Sequence, residues 1–175
     1  MEDQQKPTKK IALNYGLLLG FVSVLINVAV YAMGRHYEQD WRVGVISFII
    51  MVVIITLGIK KYKEANGGFL SLGQGLKTGI GIALIGVVIS IIYNLVFMNF
   101  IEPDFIENLL EVTRQKLIDN PKVTEEVMEA QMKITEKMLS PVINIGLAFA
   151  ASLFFGFVIS LIASLIMKKS EEDQY

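Results

Sequence analysis

The chain has 175 residues, of which 53% are hydrophobic and 19% are charged, with a formal net charge of −1. A soluble domain is usually about 45–50% apolar and about 25% charged, so this composition favours a membrane protein. The absence of cysteine excludes disulfides, thiolate metal sites and a cysteine nucleophile. The near-zero net charge gives no support to nucleic-acid binding.

Charged residues are missing from four long stretches, at 11–34, 43–59, 78–101 and 138–167. Each contains or approaches the ~20 apolar residues that a helix needs to cross ~30 Å of hydrocarbon. A segment in lipid must satisfy its own backbone hydrogen bonds, which favours helices. We therefore predict an all-α polytopic protein forming one membrane domain over 1–175. Its predicted transmembrane helices are 11–33, 43–59, 71–98 and 141–167.

The first predicted helix has an apolar run far longer than the core of a signal peptide, so we expect it to be retained. The loop after it contains His36, the sole histidine, close to Glu38 and Asp40. One histidine does not make a metal site, and we expect His36 to be a solvated loop residue.

The stretch after the second helix, NGGFLSLGQGLKTGIG (66–81), resembles a phosphate-binding loop at first sight. Such a loop requires lysine directly after its last glycine, but Gln74 follows Gly73 here, and no predicted strand precedes it. We expect no nucleotide. Instead, Ser71 and Gln74 have the spacing of a capping box that starts the third helix.

Small residues recur every fourth position on three of the predicted helices. Such faces let helix backbones approach closely in membranes. The pattern predicts a packing seam that holds the termini-side ends of the first, third and fourth helices together. Its members are Gly16, Gly20, Gly75, Gly79, Ala83, Ser152, Gly156, Ser160 and Ser164.

Residues 102–140 separate the third and fourth helices and contain two amphipathic patterns divided by Asn120-Pro121. We predict a helical hairpin outside the membrane, with Leu109, Leu110, Val127 and Met128 buried between its helices. Its methionines Met128, Met132 and Met138 have the softness of copper ligands. Methionines more commonly fill amphipathic interfaces, so we expect no metal and no cofactor.

Basic residues predict the orientation of the protein, because lysine and arginine collect on the cytoplasmic side. Only Arg35 and Arg42 lie in the first loop, and the hairpin has five basic residues against nine acidic ones. We therefore expect both termini in the cytoplasm and the loop 102–140 outside. The nine basic residues on the predicted cytoplasmic side are Lys6, Lys9, Lys10, Lys60, Lys61, Lys63, Lys77, Lys168 and Lys169.

Polar side chains inside the predicted spans form one layer toward the outer side, consisting of Asn27, Ser47, Asn94 and Asn144. Amides in lipid either hydrogen-bond between helices or line a polar cavity open to the outside. No Asp, Glu, Lys, Arg or His lies within a span, which disfavours ion- or proton-coupled transport. No nucleophile–base pair is found either, and we expect no catalytic residue.

Three segments resemble a family of small four-helix bacterial membrane proteins with a domain of unknown function. They are NYGLLLG (14–20), NGGFLSLGQGLKTG (66–79) and DNPKVTEE (119–126). The resemblance covers essentially the whole chain, and its most specific residues are Gly67, Gly68, Phe69, Gly73, Gln74 and Lys77. It implies the fold and a bacterial inner-membrane location, but no activity.

Two functional interpretations remain for this sequence. The first is a non-enzymatic subunit or scaffold of an envelope complex, which contacts a protein partner or another copy through the outer hairpin. The second is a small oligomeric pore or carrier for a neutral or lipidic solute, which uses the layer of asparagines. Both place the chain in the lipid bilayer.

Overall fold

The computed structural model describes residues 5–38 and 40–169; residues 1–4, 39 and 170–175 of the predicted membrane domain lie outside this part. The α-helices are α1 (Gln5–Ala32), α2 (Trp41–Ala65), α3 (Leu72–Val96), α4 (Phe105–Ile118), α5 (Glu125–Leu139) and α6 (Pro141–Met167). α3 continues as a π-helical segment, Phe97–Ile101. The all-α fold is confirmed. Four helices, α1, α2, α6 and α3 with its π-helical segment, are long and apolar enough to cross a membrane.

α3 is the central helix of the membrane bundle, because it packs against α1, α2 and α6. α2 also contacts α1 and α6. The end of the bundle where α1 begins and α6 ends is called the terminal end below. The opposite end carries α4 and α5 and is called the hairpin end.

Close packing is concentrated at the terminal end. Its fully buried side chains include Ile55, Ile59, Tyr62 and Ile82. Toward the hairpin end the same helices expose large apolar side chains, with Val142 at 83% and Trp41 at 72%. In a membrane protein, exposed apolar surfaces of this kind are contact surfaces for lipid or for another protein. The buried core of the four membrane helices therefore lies at the terminal end, whereas contacts such as that between the rings of Tyr31 and Phe97 join α1 to α3 at the hairpin end.

α2 extends six residues, 60–65, beyond the charge-free stretch from which it was predicted. Tyr62 lies on the buried face of this extension, whereas Lys60 and Lys61 are exposed. Charged side chains mark where hydrocarbon ends, but a helix continues past that point when one face still packs. The helix is consequently longer than its apolar span.

The hairpin forms from α4 and α5, which pack against each other. Leu109 and Met132 are its buried apolar side chains, and Leu110 and Met128 are half-buried. The prediction that Val127 would be buried is wrong, since its side chain is 43% exposed. Successive helical residues are turned by about 100°, so Val127 lies about 140° from Met132 around the helix.

Candidate functional site

The glycine-rich stretch is a turn followed by a capped helix start. Gly67 and Gly68 have positive φ angles of 69° and 89°, a conformation that glycine adopts without steric cost. The backbone N–H of Ser71 donates to Oε1 of Gln74 at 2.9 Å, and that of Gln74 donates to Oγ of Ser71 at 3.3 Å. These reciprocal bonds are those of a capping box.

The same turn is attached to the end of α6. Leu70 and Lys169 exchange two backbone hydrogen bonds of 3.1 Å, in an isolated antiparallel bridge. Nζ of Lys63 donates to the backbone oxygen of Met167 at 2.8 Å, and Nζ of Lys169 lies 5.7 Å from the ring centre of Phe69. The arrangement joins the start of α3 to the end of α6 through the turn at residues 66–70.

Small side chains allow α3 and α6 to approach closely. A Cβ added at Gly156 would lie 2.6 Å from Cβ of Ala83. At Gly75 and Gly79 an added Cβ would overlap the side chains of Ser164 and Ser160, respectively. Oγ of Ser152 donates across the interface to the backbone oxygen of Ala83 at 3.1 Å. These contacts leave no room for larger residues.

The glycines of α1 pack differently from those of α3 and α6. An added Cβ would lie 2.5 Å from Cβ of Ile85 at Gly16 and 2.6 Å from Cβ of Ile89 at Gly20. Here the glycines accept branched side chains of α3 instead of facing other small residues. α1 and α3 therefore approach closely because Ile85 and Ile89 of α3 fill the space next to Gly16 and Gly20 of α1.

His36 is not a solvated loop residue, which corrects the sequence prediction. Its ring centre lies 4.1 Å from that of Tyr37 and 4.9 Å from that of Tyr31. Nε2 lies 3.1 Å from Oε2 and 3.3 Å from Oε1 of Glu102, at the start of the hairpin. Only 16% of the His36 side chain is exposed. The pairing could not be read locally, because Glu102 is 66 residues away in sequence.

Tyr37 strengthens this connection between the first loop and the hairpin. Its hydroxyl donates to Oε1 of Glu102 and accepts from Nδ2 of Asn108 at 3.1 Å. Nζ of Lys116 donates to the backbone oxygen of Tyr37 at 3.3 Å. Burial raises the pKa of the Tyr37 phenol, and its hydrogen bond to Glu102 raises that pKa further. The hairpin is thereby held against the loop between α1 and α2.

A cavity of about 370 Å³, called cavity A, lies at the hairpin end between α1, α2 and α3. Its lining includes Asn27 and Asn94 of the predicted polar layer, together with Tyr31, Tyr93 and Trp41. His36, Arg35 and Asp40 also line it. The side-chain amide of Asn27 donates to the backbone oxygen of Ser23 in its own helix at 2.8 Å.

A second cavity of about 270 Å³, called cavity B, lies between α3 and α6 below the hairpin. Asn94 lines it as well as cavity A, and Asn144 faces it from α6. Ser47, the remaining member of the predicted layer, is half-buried on α2 and is not among the residues of either lining. The structure thus divides the three asparagines of the predicted layer between two cavities that share Asn94, and leaves Ser47 outside both.

Some polar side chains of cavity B have hydrogen-bond partners within the protein and others have none. Oγ of Ser90 donates to the backbone oxygen of Gly86 at 3.1 Å, and Nδ2 of Asn99 donates to that of Leu95 at 2.7 Å. Within the described part of the chain, the side-chain amides of Asn94 and Asn144 have no hydrogen-bond partner. Cavity B therefore offers two amides with free donors and acceptors, those of the exposed Asn94 and the half-buried Asn144, in a mostly apolar lining.

A family model described as "Protein of unknown function (DUF4199)" matches residues 14–169. The chain belongs to this family, which confirms the resemblance seen in its sequence. No curated protein and no solved structure matches the chain. The length and hydropathy of its four long helices identify it as an integral membrane protein.

Proposed function

We propose that this member of the family of unknown function is a non-enzymatic subunit or scaffold of a bacterial envelope complex. In this proposal its termini lie in the cytoplasm and its hairpin contacts a partner protein outside the inner membrane. The orientation rests on the basic residues, nine of which lie on the terminal side against two in the first loop.

The observation that carries the proposal is an apolar stripe on α5. Val127, Ile134 and Met138 are 43%, 59% and 46% exposed. They are seven and four residues apart, so they share one face of the helix. This stripe is distinct from the face that buries Met132 against the rest of the hairpin. A solvated helix normally keeps a single apolar face, and the second one indicates a contact surface.

Charge indicates which kind of partner the stripe suits. Residues 102–140 contain nine acidic and five basic residues. A surface that binds anionic lipid is expected to be basic, so the acidic excess favours a protein. A complementary partner has an apolar groove for the stripe and basic residues at its rim.

A pair of double variants tests this function. Ile134→Ala with Met138→Ala shortens the stripe, whereas Lys133→Ala with Lys137→Ala changes exposed polar positions of the same helix. The stripe variant should lose its stoichiometric partner on purification from membranes in mild detergent, and the lysine variant should keep it. Replacing residues 102–140 by a short flexible linker should also abolish the association while the four-helix core remains inserted.

The contrary result is a shortened protein that retains every partner and its biological effect. The hairpin would then be only a connector. The alternative function, a small oligomeric pore or carrier for a neutral or lipidic solute, would then be preferred to the scaffold function. Cavities A and B favour that alternative, because both are lined by amides and share Asn94. A closed oligomer with Asn27 or Asn94 facing a water-filled lumen would support it.

A further inference from the structure

We propose that cavity B is a binding site for a neutral glycerolipid drawn from the surrounding bilayer. In this site the acyl chains lie between α3 and α6, and the ester and hydroxyl groups bind the amides of Asn94 and Asn144. The inference goes beyond the proposed function of the hairpin and does not depend on the identity of the hairpin's partner.

The position of cavity B gives a membrane lipid access to it. α3 and α6 pack closely through Gly79 and Gly156, and cavity B lies between them nearer the hairpin end, where the lining residue Leu95 is exposed. In this proposal a lipid enters sideways from the bilayer past Leu95. The first turn of the hairpin covers the cavity from above with Pro103 and Ile106.

The two free amides distinguish the site from an ordinary gap filled by acyl chains. An amide left without a partner in apolar surroundings costs about 1–3 kcal/mol. Asn94 and Asn144 each carry a donor and an acceptor, and hydrocarbon satisfies neither. A ligand with ester carbonyls and a hydroxyl group satisfies both kinds. The site therefore selects a lipid with polar groups at the depth of these amides.

The lining also indicates that the ligand is uncharged. The residues that line cavity B are apolar or carry neutral hydroxyl and amide groups, and they include no Asp, Glu, Lys, Arg or His. A phosphate or ammonium group drawn to this depth would lack a counter-charge, and the cost of burying it would exceed the gain from two amides. Neutral glycerolipids such as diacylglycerol fit this chemistry.

The π-helical segment supports a binding role for this region. Met98 and Asn99 belong to it, and both line cavity B. π-helical turns are rare because they disturb the regular helical hydrogen bonds, and they occur frequently at functional sites. The segment lies between the end of α3 at Val96 and the start of α4 at Phe105.

The proposal can be tested with the full chain in mild detergent by native mass spectrometry. Dioleoylglycerol is the probe, dioleoylphosphatidylglycerol is the charged comparison, and hexadecane is the comparison without polar groups. The wild type should bind one dioleoylglycerol in preference to both. Asn144→Leu should weaken binding about tenfold or more, the effect of losing one buried hydrogen bond. Ala148→Phe, which places a ring in the cavity, should abolish it.

Matched variants separate loss of the site from loss of the fold. Asn27→Leu makes the same change in cavity A, and Ala150→Phe places the same ring on an exposed position of α6. Both should bind as the wild type does, and dioleoylglycerol should raise the melting temperature of both. Equal binding of all three probes, or undiminished binding by Ala148→Phe, would overturn the proposal. Preference for the charged lipid would overturn it too. These variants leave the stripe on α5 intact, so failure here is distinct from failure of the hairpin's function.

Discussion

The contact between α3 and α6 should respond sharply to a single added side chain at Gly156. A Cβ at this position lies 2.6 Å from Cβ of Ala83, whereas carbon atoms that are not bonded prefer about 3.5–4.0 Å. The helices must therefore separate locally by about 1 Å, because Ala83 has no rotamer that could yield. Overpacking of this kind costs about 1–3 kcal/mol.

Part of this cost is offset by helix propensity in Gly156→Leu, because leucine stabilises a helix relative to glycine by about 0.5–1 kcal/mol. We therefore expect a net loss of about 1–2 kcal/mol and a melting temperature lower by about 2–8 °C. Gly146→Leu is the control on the same helix, since no side chain lies within 4 Å of a Cβ built there. The helix-propensity gain is common to both variants, so their difference reports the overpacking alone. Equal thermal unfolding of the two variants in detergent would refute the close approach at Gly156.

The remaining predictions concern orientation and alkaline stability. A reporter active only outside the cytoplasm should be active when fused at Asn120 and silent when fused after Lys169, and the reverse pattern would contradict the proposed orientation. Tyr37→Phe should reduce the loss of stability at high pH. The pKa of Tyr37 is raised in the folded protein, so the unfolded chain loses the phenol proton at a lower pH than the folded protein does. The contribution of Tyr37 to the free energy of unfolding is therefore complete below about pH 10 and decreases as the pH rises further. Melting temperatures of both proteins across this range test the prediction, and an equal alkaline decrease would argue against it.

The long helices were predictable because hydropathy is a local property of the sequence. Uninterrupted apolar segments must be helical in lipid, so the absence of charge between 141 and 167 predicts α6 directly. The extension of α2 to Ala65 could not be predicted in this way. Its basis is the burial of Tyr62 by other helices, whereas Lys60 and Lys61 on the exposed side indicate that the membrane has ended.

The cluster at His36 shows which information a single sequence lacks. A histidine beside Glu38 and Asp40 in a short polar loop has the composition of a solvated residue. Its burial arises from Glu102 and from the rings of Phe97 and Phe105, which the fold brings from the end of α3 and the start of α4. The sequence pattern did predict that the hairpin would follow α3, but it held no signal that the hairpin packs on the first loop.

The polar side chains within the membrane spans are hydrogen-bonded differently at the two ends of the bundle. In lipid, small side chains bring helices together at the terminal end, where α3 and α6 are close enough for a serine of one helix to donate to a carbonyl of the other. Asn27, Asn94 and Asn144 lie at the opposite end, in the linings of cavities A and B. Asn27 bonds within its own helix, and Asn94 and Asn144 have no partner in the described part of the chain. Hydrogen bonding between these helices therefore does not account for the amides that line cavity B. The neutral lipid proposed for cavity B would satisfy both amides.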